Sequence, residues 1–237
     1  MKTLLLFFVV LLSGGYSFAQ DSTFAVEDFN IKIQDSRLLV GDLDNKTVYD
    51  RQFQEPYAYT LDIDGDGAPE LLINDAAEKD SLSYYTLYVY NTVGSFYLID
   101  SIYSGLKEPY SFFSDEINNV VLVTGSPDFD SLNVQGQDNI FSPLVCWSFV
   151  DSSLSIVNDQ LYNVFLSEND ANMKYMDEVY REKGKNCQAS RLLMAAIAST
   201  YANFIYADEY ALADKLLEEY YLCEDLKQFK EQISKLL

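Results

Sequence analysis

Apolar positions recur along this chain with two different periods, and the change falls near residue 166. From residue 20 to about 165 they alternate with polar positions or gather in short runs bounded by Gly, Pro, Asn, Asp and Ser. Alternation places one set of side chains on one face of a pleated strand, so the pattern predicts β-structure. Predicted strands cover 29–34, 37–40, 57–63, 71–74, 84–90, 96–102, 120–124, 144–150, 154–157 and 161–165. Asn91-Thr92-Val93-Gly94 reads as the turn of a hairpin. Stretches 103–118 and 125–142 are loop-rich, and their pattern assigns them no element. About ten short strands with no helical pattern between them predict an antiparallel domain over 20–165.

From Ser167 onward the period is helical. Ser167-Glu168-Asn169-Asp170 reads as a capping box, Met173, Met176, Val179 and Tyr180 form one stripe, and Gly184 supplies a stop. Further helices are expected over 186–207, 211–221 and 225–237. No Gly/Pro linker separates the two patterns, so the helical region 166–237 is expected to pack against the sheet. The fold class is α+β.

Residues 1–19 have the order of a signal peptide. Lys2 precedes an apolar run from Leu4 to Leu12, Ser13-Gly14-Gly15-Tyr16 breaks it, and Ser17-Phe18-Ala19 places small residues at a cleavage site before Gln20. The run is shorter than the ~20 residues a bilayer needs. The expectation is a secreted or periplasmic protein with no membrane insertion after cleavage.

Composition narrows the chemistry. Hydrophobic residues make up 49%, with 19 Tyr and 15 Phe, so the chain has enough apolar surface to offset the entropy of folding. A formal net charge of −21 repels phosphate backbones and argues against nucleic acid as a partner. The absence of histidine excludes Ser-His-Asp and Cys-His catalysis and His-ligated metals. Three cysteines form no CxxC site. In an oxidising compartment Cys187 and Cys223, both in the helical part, are the better pair for one bridge, with Cys146 left as a buried thiol.

One segment carries sharp chemistry: Asp62-Ile63-Asp64-Gly65-Asp66-Gly67-Ala68-Pro69-Glu70, followed by Leu71-Leu72-Ile73. Calcium takes six to eight oxygens at about 2.3–2.6 Å, several of them carboxylate. Asp62, Asp64 and Asp66 alternate, so a curling backbone turns all three inward, and Gly65 and Gly67 permit the curl. Ala68 falls at position seven, where such loops offer a carbonyl, and Glu70 falls at position nine. Four like charges this close repel one another unless a cation neutralises them. An EF-hand is excluded: position twelve is Ile73, position eight is Pro69, and the flanks read as strands.

The pattern resembles the strand–loop–strand calcium loop of FG-GAP and VCBS repeats. That resemblance implies side-chain ligands Asp62, Asp64, Asp66 and Glu70, with a backbone oxygen from Ala68. It also implies that 61–102 is one propeller-blade unit, and a single one, since no second intact loop occurs. The nearest degenerate copy is Asp42-Leu43-Asp44-Asn45-Lys46 with Asp50 at position nine, where Lys46 replaces the third acid.

Other candidates have plainer readings. Asp128 and Asp130 suit a turn better than a catalytic pair, and the tyrosines suit half-buried strands better than sugar stacking. Residues 201–213 resemble the turn region of a tetratricopeptide-type hairpin, but one unit forms no peptide groove. The function these residues imply is an exported, non-enzymatic calcium-binding module for adhesion or protein interaction, partnered by an extracellular or periplasmic protein or a glycan. The alternatives are a secreted carboxylate-dependent hydrolase and a carbohydrate-binding protein.

Overall fold

A computed structural model describes residues 22–26, 28–133 and 139–237. The leader reading of residues 1–19 lies outside them. Twelve strands among the described residues form three successive antiparallel sheets. Sheet A holds β1 (Ser22–Val26), β2 (Phe29–Gln34), β3 (Arg37–Gly41) and β4 (Thr47–Gln52). Sheet B holds β5 (Glu55–Leu61), β6 (Glu70–Lys79), β7 (Leu82–Asn91) and β8 (Tyr97–Gly105). Sheet C holds β9 (Tyr110–Ser114), β10 (Asn119–Gly125), β11 (Leu144–Val150) and β12 (Ser153–Ile156). Five α-helices follow: α1 (Tyr162–Lys183), α2 (Cys187–Leu192), α3 (Met194–Tyr206), α4 (Tyr210–Tyr220) and α5 (Leu226–Ser234). The expected α+β class and order of parts hold, but the single blade becomes three four-stranded sheets.

Side-chain parity shows how the layers stack. On β6, Leu71 and Ile73 join Phe29, Ile31, Ile33, Leu38 and Val40 in a core between sheets A and B. Leu72 between them faces the other way, into a core with Leu87, Val89, Ile102 and Leu122 between sheets B and C. On β10, Val121 and Val123 face the helices, packing with Cys146, Leu161 and Phe165. Runs such as Leu71-Leu72-Ile73 therefore lack polar alternation because both faces of the strand are covered. Sheet A is covered on one face only, and Asn30, Lys32, Gln34 and Arg37 alternate with its core residues.

Residues 161–165 are not a strand. Leu161 and Phe165 are both fully buried while Tyr162 and Asn163 between them are exposed, and that spacing of four belongs to a helix. The helix α1 begins at Tyr162, so Ser167 lies inside it and caps nothing. Its buried face runs Phe165, Asn169, Asn172, Met176, Tyr180, and the two asparagines hide the stripe from a hydropathy reading. Gly184 ends it as expected, at φ 82° with its N–H on the Tyr180 carbonyl. The helix expected over 186–207 is broken at Leu193 into α2 and α3, with Asn186 capping α2 through the Ala189 N–H at 3.0 Å. Cys187 and Cys223 form a disulfide with Cα atoms 4.7 Å apart, and Cys146 is free and buried.

The helices dock on the sheets through polar as well as apolar contacts. Leu144 N–H donates to Asn203 Oδ1 at 3.0 Å, and Lys107 Nζ meets Glu168 Oε1 at 3.1 Å. In the 3₁₀ turn Pro127–Leu132, both carboxylate oxygens of Asp130 accept from Leu106 N–H, at 3.3 and 3.2 Å. Gly105, at φ 65°, leaves the space: a Cβ there would lie 2.9 Å from Asp130 Cγ. Asp130 is thus a turn former that pins the turn to sheet B.

Burial pushes the Asp130 carboxyl up to about 6, with the Leu106 N–H pulling it down and the Asp128 charge adding to the rise. The unfolded value is near 3.9, so the folded chain holds this proton more tightly. Its contribution is fully present below about pH 4 and is lost as pH rises through 6. Solvent screening of this partly exposed group leaves about 1 kcal/mol of that effect. Asp130→Asn, whose carboxamide oxygen still accepts from Leu106, is expected to be about 1 kcal/mol more stable than wild type at pH 8 and no more stable at pH 4. Urea titrations at the two pH values check this, and an equal difference at both would rule it out.

Candidate metal centre

The acidic loop joins β5 to β6, and Leu61 pairs with Glu70 at its base. The flanks are strands, as the exclusion of an EF-hand requires, and Ile73 is fully buried in the core between sheets A and B. Gly65 and Gly67 take φ values of 77° and 91°, which let the chain reverse inside eight residues. Asp62 organises the turn: its Oδ1 accepts from Gly65 N–H at 2.8 Å and its Oδ2 from Gly67 N–H at 3.0 Å. Asp64 Oδ1 accepts from Asp66 N–H at 3.1 Å, and Asp66 Oδ1 from Ala68 N–H at 2.7 Å. Thr92 Oγ1, in the turn between β7 and β8, donates to the Pro69 carbonyl at 2.6 Å.

Glu70 is 3% exposed, and its Oε2 accepts the Ile63 N–H at 3.0 Å, which closes the loop from the sheet side. One carboxylate oxygen each from Asp62, Asp64 and Glu70 lies within 4.8 Å of the others. Two oxygens bound to one calcium at about 2.4 Å are at most about 4.8 Å apart, so this spacing suits a shared ion. Asp66 is not in that set and is exposed; Ala68 is half-buried.

The electrostatics match a site that asks for positive charge. Burial raises the Glu70 carboxyl above the usual range, opposed by the Ile63 N–H and reinforced by the charges of Asp64 and Asp66. Burial also raises Asp64, with the Asp66 N–H opposing and Asp66 and Asp62 adding repulsion. A divalent cation reverses these effects by favouring the ionised forms.

No protein-family model matches the chain, and no curated protein or solved structure matches it. The likeness to FG-GAP and VCBS loops therefore rests on residues 62–70 themselves.

The Asp42 stretch is a different object. It joins the third strand of its sheet to the fourth, whereas the Asp62 loop joins the first to the second. Asp42 Oδ1 accepts from Asp44 and Lys46 N–H, and Asp50 lies on β4 in an ion pair with Arg37. A plain hairpin turn accounts for all of these contacts.

Proposed function

We propose that this chain is an exported calcium-binding protein whose loop 62–70 holds one ion in the manner of an FG-GAP or VCBS loop. The convergence of Asp62, Asp64 and Glu70 oxygens within 4.8 Å supports this reading most strongly. Asp66 and the Ala68 carbonyl complete the proposed ligand set with small movements of the exposed loop, and water fills the remaining positions. The ion would lock the first hairpin of sheet B, the sheet packed between its two neighbours. That role is structural support for an interaction module, with adhesion or protein binding at the cell exterior or in the periplasm as the biological task. Among the described residues no helix is long and apolar enough to cross a membrane.

A glycan is the second partner class. Tyr57, 65% exposed on the edge strand β5, lies 5.9 Å from Tyr59 between ring centres, a platform of the kind sugars stack on. Calorimetry of the chain beginning at Gln20 tests the metal reading directly. Calcium is expected to bind with one-to-one stoichiometry and a Kd of about 10⁻⁴–10⁻³ M, and magnesium to bind much more weakly because it holds its waters. Equal heats for the two ions, or no heat for calcium, would end the proposal.

A further inference from the structure

Six buried side-chain oxygen and nitrogen atoms among the described residues have no hydrogen-bond partner, and five of them sit on α1 and α3. They are Oδ1 and Nδ2 of Asn169, Nδ2 of Asn172, Oγ of Ser199 and Nδ2 of Asn203. The two helices run antiparallel. The Phe165 and Tyr206 rings lie 5.9 Å apart at one end, and at the other the Tyr180 hydroxyl meets Ser190 Oγ, just ahead of α3, at 2.9 Å. Counting about 1.5 Å per residue from the first contact brings Asn169 level with Asn203 and Asn172 level with Ser199. The unpaired atoms thus form one polar seam between the helices.

Buried polar groups without partners are rare, and each carries a desolvation cost that water would remove. The seam matters because α3 is the main support of α1 within the helical layer. Beneath the N-terminal half of α1, Leu161 and Phe165 pack on Val121, Val123, Leu144 and Cys146 of sheet C and supply the apolar closing force. The other ties of this half are exposed or partly exposed. Tyr162 donates its hydroxyl proton to Glu209 Oε1 at 2.8 Å, Asn163 N–H donates to Glu116 Oε2 at 3.2 Å, and Lys107 pairs with Glu168. Such pairs hold weakly. The bond from Leu144 N–H to Asn203 Oδ1 anchors α3, not α1, to sheet C. The Cys187–Cys223 bridge ties α2 to the chain beyond α4.

We propose that residues 162–172, the N-terminal half of α1, form a cover that opens from α3 and sheet C while the sheets and the other helices stay folded. Opening hydrates the seam and bares the face of Val121, Val123 and Cys146. Cys146 is the one thiol outside the disulfide, so its alkylation by iodoacetamide reads the motion. In the native, disulfide-intact chain at low reagent concentration, alkylation is expected to outpace global unfolding. Its urea dependence should be much shallower than that of global unfolding, because opening exposes little surface. Ser199→Ala and Asn169→Leu remove polar atoms that opening would hydrate, so they should slow alkylation by about fivefold or more. Ser199→Ala does this with little change in packing. Ile31→Val, in the core between sheets A and B, lowers global stability but should leave the alkylation rate within about twofold of wild type. Alkylation that follows the urea dependence of global unfolding would overturn the cover. So would acceleration by Ile31→Val in step with the stability it loses, or alkylation slowed by neither Ser199→Ala nor Asn169→Leu.

Discussion

Raising calcium from chelated levels to about 10 mM is expected to lift the melting temperature by roughly 3–10 °C. With a Kd of about 10⁻⁴–10⁻³ M, that concentration is about 10 to 100 times Kd and adds about 1.4–2.7 kcal/mol. For a chain of this size each kcal/mol is worth roughly 2–4 °C. Equimolar magnesium should do much less. Asp64→Ala removes a proposed ligand and a repelling charge together, so the variant should lose the calcium response while its metal-free form is no less stable than metal-free wild type. The pH dependence carries the same signature. Glu70 and Asp64 titrate above their unfolded values, so the metal-free protein gains stability as pH falls from neutral toward the ordinary carboxylate range. Saturating calcium should reverse that slope, since protons then compete with the ion. Identical melting curves in chelator and in 10 mM calcium would remove the site from consideration.

Loss of the Cys187–Cys223 bridge is the other large effect. It closes a loop of 36 residues, which in the chain-entropy model corresponds to about 4 kcal/mol and a fall in melting temperature of roughly 8–15 °C. The remaining thiol gives no route to reshuffling, because burial pushes Cys146 up to about 12 and keeps it protonated. Cys187→Ser with Cys223→Ser, scanned by calorimetry against wild type, should show the full fall. A double variant within about 2 °C of wild type would mean the bridge constrains little. Non-reducing peptide mapping of native material should recover the two cysteines in one linked peptide and Cys146 free.

What the amino-acid sequence disclosed, and what it concealed, follows from exposure. Central strands such as β2, β6, β7, β10 and β11 were legible because their apolar residues are buried on one or both faces. The strands that escaped, β1, β4 and β9, all lie at the edge of a sheet. Of these, Thr47-Val48-Tyr49-Asp50-Arg51-Gln52 keeps polar residues and carries little apolar signal. A repeat was also hidden in the turns. Asp35-Ser36, Asp80-Ser81 and Asp151-Ser152 each link two strands with both residues at positive φ, the conformation of a two-residue hairpin loop usually signalled by glycine. Of the candidate site, the loop and its glycines were readable from spacing alone, since neighbours in sequence hold it together. That Asp62, Asp64 and Glu70 gather while Asp66 stays outside their set was not, because it depends on which carboxylate each backbone N–H captures.

The order of the layers has a consequence for how the molecule comes apart. Sheet A shares a core with sheet B, sheet B with sheet C, and sheet C with the helices. Such a stack peels from its ends, and amide protons in sheet A should exchange sooner than those of β6 or β10. Detachment of sheet A bares Leu71, Ile73 and Tyr90 on a sheet already stiffened by its other neighbour. A surface like that is adhesive toward any exposed sheet, including one from a second molecule. The grip of sheet A on the layer beneath is therefore what stands between a solitary chain and a growing pile.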